Sequence, residues 1–147
     1  MADHPSHGTI VKVDFAGGSS YTAIGQITSD ISIVSMSRGV VVVTAHDDTW
    51  ATKFAGIPDA GQLSFTVSYD PAIAVHEDFV TEIDADACTL PTWEITMHVC
   101  TATVTSAVWT FAAFVIAAAL TSPLEGKHEM AMTIEISGEP TLTIVTP

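Results

Sequence analysis

Residues 38–71, RGVVVVTAHDDTWATKFAGIPDAGQLSFTVSYDP, decide how the rest of the chain is read. They open on a β-branched run, 40–45, with Val40, Val42 and Thr44 on one side and Val41, Val43 and Ala45 on the other. A strand apolar on both faces needs cover on both. His46-Asp47-Asp48-Thr49 ends it. Adjacent strand residues point to opposite faces, so His46, Asp47 and Asp48 read as a polar turn and not as a metal site. Residues 50–54 then lead into a glycine-bracketed turn, Gly56-Ile57-Pro58-Asp59-Ala60-Gly61, where Gly61 suits a positive φ. Residues 62–69 alternate cleanly: Leu63, Phe65, Val67 and Tyr69 on one face, Gln62, Ser64, Thr66 and Ser68 on the other. The second face is polar yet uncharged. Asp70-Pro71 marks a helix start, an N-cap oxygen followed by proline at the first helical position.

Working outward, Val75, Phe79 and Ile83 recur at i, i+4, i+8 with Val80 beside them, which predicts an amphipathic helix over about 72–84. Glu77 and Asp78 lie toward its N-terminal half, where the helix dipole tolerates them. Before residue 38, strands are predicted over 9–15 and 21–28, joined by a Gly17-Gly18-Ser19-Ser20 turn, with Gly25 as a bulge or close approach. Residues 29–37 read as an extended excursion. Beyond the helix, 90–101 alternate Trp93, Ile95, Met97 and Val99 with Glu94, Thr96, His98 and Cys100. Residues 109–118 are apolar on both faces, so that strand is either central or buried against a neighbouring copy. A turn at 122–126 precedes a strand over 127–137, with Met130, Met132, Ile134 and Ile136 against Glu129, Thr133 and Glu135. Gly138-Glu139-Pro140 reads as a turn into a short last strand, 141–145. Residues 1–8 read as a mobile arm and 9–147 as a single domain.

Composition narrows the function. Of 147 residues 48% are hydrophobic and only 14% charged, against roughly 25% charged in a typical soluble domain. So few polar side chains argue for burial against other copies, since obligate interfaces resemble a core cut in half. The longest apolar run, 107–120, holds 14 residues, short of the about 20 a spanning helix needs, so membrane insertion is not expected. Lys12, Arg38, Lys53 and Lys127 face 17 Asp and Glu, for a net charge of −13. That excludes a basic nucleic-acid footprint. Cys88 and Cys100 form no CxxC pair and read as thiols in a reducing compartment. The N-terminus shows neither a basic nor an apolar signal region, as for a chain made and used in a cytosol.

No catalytic residue, metal ligand or cofactor is assigned. There is no GxSxG elbow, no HExxH and no phosphate-cradling glycine loop. Cys100 and His98 share a strand face as ordinary alternation dictates. His4 and His7 are two ligands where a structural metal wants four. Glu82, Asp84 and Asp86 lack calcium-loop spacing and read as a solvated helix end.

With these residues in place, the chain resembles the major tail tube proteins of long-tailed, siphovirus-type bacteriophages. The matching pieces are Arg38 with V-V-V-V-T, then A-H-D-D, K-F-A-G-I-P-D-A-G, and the Q-L-S-F-T-V-S-Y-D-P strand-to-helix step. F-A-A-F-V, S-P-L-E-G and I-S-G-E-P-T-L follow, so the resemblance spans most of 20–144. It implies a mainly β chain, an antiparallel β-sandwich or barrel-like fold with one flanking helix. It further implies hexameric rings stacked head-to-tail into a hollow conduit for DNA, with no enzymatic role. Tape-measure, terminator and tip proteins would be partners, in a virion tail assembled in the host cytoplasm. Gly56 and Gly61 match the family's glycine-bracketed turn, and Thr44, Asp47 and Asp48 its post-strand loop. With Arg38, these are the subunit-interface candidates. Arg38 would either pair with Asp47 or Asp48 of a neighbour or stay an exposed loop charge. The loop over 28–37 is shorter than in many members.

A conduit should neither grip nor read its DNA. The candidates for its wall are the polar strand faces: Gln62, Ser64, Thr66 and Ser68; Glu94, Thr96 and His98; Glu129, Thr133 and Glu135. Which of these would face the lumen and which the outside is left open by the residues. The alternatives are another ring-forming tail or neck protein such as a tube terminator, a monomeric β-sandwich ligand-binding module, and a hydrolase.

Overall fold

Alternation of apolar and polar residues builds one curled sheet around one core. The computed structural model describes residues 8–84, 88–99 and 103–147. The arm up to residue 7 with His4 and His7, and also Asp86 and Cys100, lie outside the described residues. Along the chain run β1 (Ile10–Asp14), β2 (Thr22–Ala23), β3 (Ser37–Val42), β4 (Lys53–Asp59), β5 (Gln62–Ser68), α1 (Ala74–Ile83), β6 (Thr92–His98), β7 (Ser106–Thr121) and β8 (Glu129–Val145). Six strands form an antiparallel sheet in the order β2-β1-β6-β7-β8-β5, and β3 with β4 forms a separate hairpin. The chain is thus mainly antiparallel β with one flanking helix, as expected.

The inward residues are those the alternation picked. Leu63, Phe65 and Val67 of β5 are buried, as are Trp93 and Ile95 of β6, Phe111, Ala113 and Val115 of β7, and the four-residue series Met130, Met132, Ile134 and Ile136 of β8. Each large side chain so buried contributes roughly 1.5–3 kcal/mol. The sheet edges are linked by the segment after β2. Ile24 N–H donates to Val11 on one edge, then Ser68 N–H donates to Gln26 and Thr28 N–H to Thr66 on the other. Ser32 bridges Ser64 further on. This partial closure makes the sheet barrel-like.

Several boundaries differ from the expectation. The second strand shrinks from 21–28 to Thr22–Ala23, because Gly25 and Gln26 both take positive φ (69° and 54°) where the chain swings from β1 to β5. The last two strands are one, Glu129–Val145. Gly138, Glu139 and Pro140 do not turn it back but bulge out opposite Phe111, since Ala112 pairs with Ser137 and Thr110 with Thr141. The strand over 109–118 is longer than expected and central, between β6 and β8.

The helix is shorter than 72–84. Asp70 does not cap it; its Oδ1 accepts from Ala72 N–H at 2.9 Å in a tight turn, and Ile73 is the cap without a side-chain bond. Its buried face is Val75, His76 and Phe79, while Val80 and Ile83 are exposed. Phe79 stacks on Trp93 at 5.7 Å and meets Phe15 edge-on at 5.3 Å, which pins α1 over the sheet.

Candidate assembly surfaces

The face of the sheet turned away from the core collects all ten expected wall residues. Residues paired across antiparallel strands share a face. Register aligns Gln62 with Glu135, Ser64 with Thr133 and Ser68 with Glu129, while Glu94, Thr96 and His98 pair with Thr110, Val108 and Ser106. The central strand β7 interrupts this polar surface with Phe114 and Ile116, both partly exposed. Every carboxylate on the face has a neighbour. Glu94 lies 3.7 Å from Lys12 and Glu129 3.8 Å from Lys127, and Gln62 Nε2 donates to Glu135 at 2.8 Å. Such exposed pairs add little stability. They do leave the face polar and nearly balanced in charge, so the acidity sits elsewhere, on α1 and on the loops.

The six interface candidates are spread along the β3–β4 hairpin, from its base to its tip. Ladder bonds run on past β3, with Val43 N–H donating to Thr52 at 2.8 Å and Thr52 N–H donating to Thr44 Oγ1 at 3.2 Å. Asp48 then turns the chain: its Oδ2 accepts from Ala45 N–H at 2.8 Å. The residues after His46 thus form a polar turn. Arg38, paired with Pro58, sits at the base of the hairpin, far from Asp47 and Asp48 at its tip.

One expectation for this hairpin fails. The glycine-bracketed turn is largely strand: residues 53–59 pair with β3, and only Ala60-Gly61 turns. Gly56 faces Gly39 closely, a Cβ there meeting Gly39 O at 3.1 Å. Gly61 does take φ +79°, and a Cβ would come within 2.5 Å of Ser35 O. The valine run is not covered within the chain. Its strand is Ser37–Val42, and Val40, Val41, Val42 and Val43 are each at least half exposed within the chain. Phe54 and Trp50 (86% exposed) extend the apolar surface.

Two surface features escaped the sequence reading. Met36, Arg38, Ile57, Asp59, Glu139 and Pro140 line an open groove of about 840 Å³ where the hairpin base overhangs the β8 bulge. Leu124, in the loop joining β7 to β8, is wholly exposed. S-P-L-E-G was legible only as a turn, and no local pattern marks the groove because its walls are distant in sequence. On the helix, burial together with the nearby Asp78 carboxylate raises the Glu82 carboxyl above its usual range.

No family model and no curated protein sequence matches the chain. The fold itself recurs in chains of tail and injection assemblies. One neighbour is a chain of the anti-feeding prophage baseplate, six-fold symmetrised, with TM-score 0.73 and 11% identity over 97% of both chains. A chain in the tail of an empty gene transfer agent particle, refined with C6 symmetry, gives TM-score 0.70 and 14% identity over 96% of this chain and 99% of that one. The SPP1 tail tube gives TM-score 0.68 and 9% identity over 97% and 81%. At such identities the fold is what is shared.

Proposed function

We propose that the chain is a structural subunit of a phage-type tail tube. Six copies close a ring, and rings stack head-to-tail into a hollow conduit. The polar outer face of the sheet, from Gln62, Ser64, Thr66 and Ser68 across Glu129, Thr133 and Glu135 to Glu94, Thr96 and His98, lines the channel. DNA passes without being bound, because on a wall of short hydroxyls and carboxylates the cations Lys12 and Lys127 are each engaged by a glutamate and leave no free cationic patch for phosphate. The subunit works in the virion tail after assembly in the host cytoplasm, with a tape-measure protein inside and terminator and tip proteins at the ends. It has no enzymatic role.

The observation that carries this reading is the hairpin. A two-stranded ribbon with valines exposed on both faces is marginal alone and complete only between neighbours. The six-fold symmetry of the assemblies holding two of the fold's neighbours supports the ring. Negative-stain imaging of the purified chain tests it. Hollow tubes with six-fold end views are expected; single rings would turn the reading toward a terminator, and small monodisperse particles would sink it.

A further inference from the structure

Strand β8 carries unlike surfaces at its start and at its bulge. At the Glu129 end, the loop over 122–128 projects Leu124 (103% exposed), with Glu125 and Lys127 beside it. At the mid-strand bulge lies the groove, with Met36, Ile57 and Pro140 as apolar walls and Arg38, Asp59 and Glu139 as charged ones. Ile57 is 91% exposed there, and among the described residues Arg38 makes no ion pair. The stretch from Glu129 to Gly138 sets the two surfaces roughly 30 Å apart along the strand.

We propose that the β7–β8 tip of one copy docks into this groove of the next, Leu124 between Met36, Ile57 and Pro140 and Glu125 against Arg38. This rests on the tube reading and names its stacking contact. The two surfaces match in kind: an apolar knob meets an apolar slot, the tip acid meets the groove arginine, and Lys127 meets Asp59 and Glu139. A knob and its receptor roughly 30 Å apart on one molecule make a heterologous contact, which adds copies head to tail wherever its rotation does not close. Arg38 thereby takes Glu125 of a neighbour as partner, while Asp48 stays engaged in its own turn. An arginine–carboxylate pair at the edge of an apolar slot fixes orientation as well as attraction.

The test uses the full purified chain, with tube growth followed by light scattering and negative stain. Leu124→Asp should raise the critical concentration for growth about tenfold or more, since it removes the buried knob. Leu124 touches no core, so circular dichroism should not change. Arg38→Glu and Glu125→Arg should each impair growth, and the double variant should return to within about twofold of wild type. Wild-type growth by Leu124→Asp, or a double variant as poor as the singles, overturns the docking and leaves the tube reading intact. Failure of the wild-type chain itself to form tubes overturns both.

Discussion

His76 is fully buried, and both ring nitrogens are engaged. Asp70 N–H donates to Nδ1 at 3.1 Å, so the proton is on Nε2, which donates to Ile24 O at 3.2 Å. One side chain thus ties the helix start to the segment that closes the sheet. Replacing it with alanine should cost roughly 2–4 kcal/mol in chemical denaturation, from the void and two backbone groups left without this partner. The helix itself was legible from Val75 and Phe79. The burial of His76 was not, because its partner lies 52 residues away and a polar residue carries no periodic signal of burial. Gly61 was legible, since a tight turn between strands wants positive φ; Gly61→Ala should cost about 2 kcal/mol or more, read by thermal melting. Glu82 has its carboxyl raised by burial first and Asp78 second. A raised acid favours folding below the unfolded-state value and loses that contribution as pH climbs through the folded value. Glu82→Gln should therefore melt about 1–2 °C above wild type at neutral pH and level with it in acid, a small effect because the group is largely solvated.

At the scale of elements, strands with one core face and one wet face were the most readable. β5 alternates because one side meets Leu63's neighbours in the core and the other meets solvent. The β3–β4 hairpin has no such alternation, so its valines read only as a strand needing cover on both faces and Gly56 to Gly61 as a turn. Pro58 is tolerated because β4 has a partner on one side only. Gly138 and Pro140 likewise signalled a chain reversal where β8 merely bulges. The hairpin should respond to mutation unlike the core. Val41→Asp should change the stability of the unassembled chain by less than about 0.5 kcal/mol yet abolish tube growth. Phe65→Ala should cost about 3–5 kcal/mol and unfold the chain before any assembly is scored. Denaturation and light scattering on the same samples separate the two.

For the whole molecule, the polar strand faces were legible residue by residue, but their unity was not: only the register shows that β5, β6 and β8 turn their polar sides the same way. Replacing Glu94, Glu129 and Glu135 together with lysine should leave tubes intact while slowing DNA passage, because cations on the wall would hold phosphate. Normal infectivity of such particles would contradict the lining assigned to this face. The central claim, that the apolar hairpin is complete only between copies, is tested most directly by imaging the purified wild-type chain in negative stain. Hollow tubes with six-fold end views are the predicted result. A monodisperse population of small particles at every concentration would contradict it.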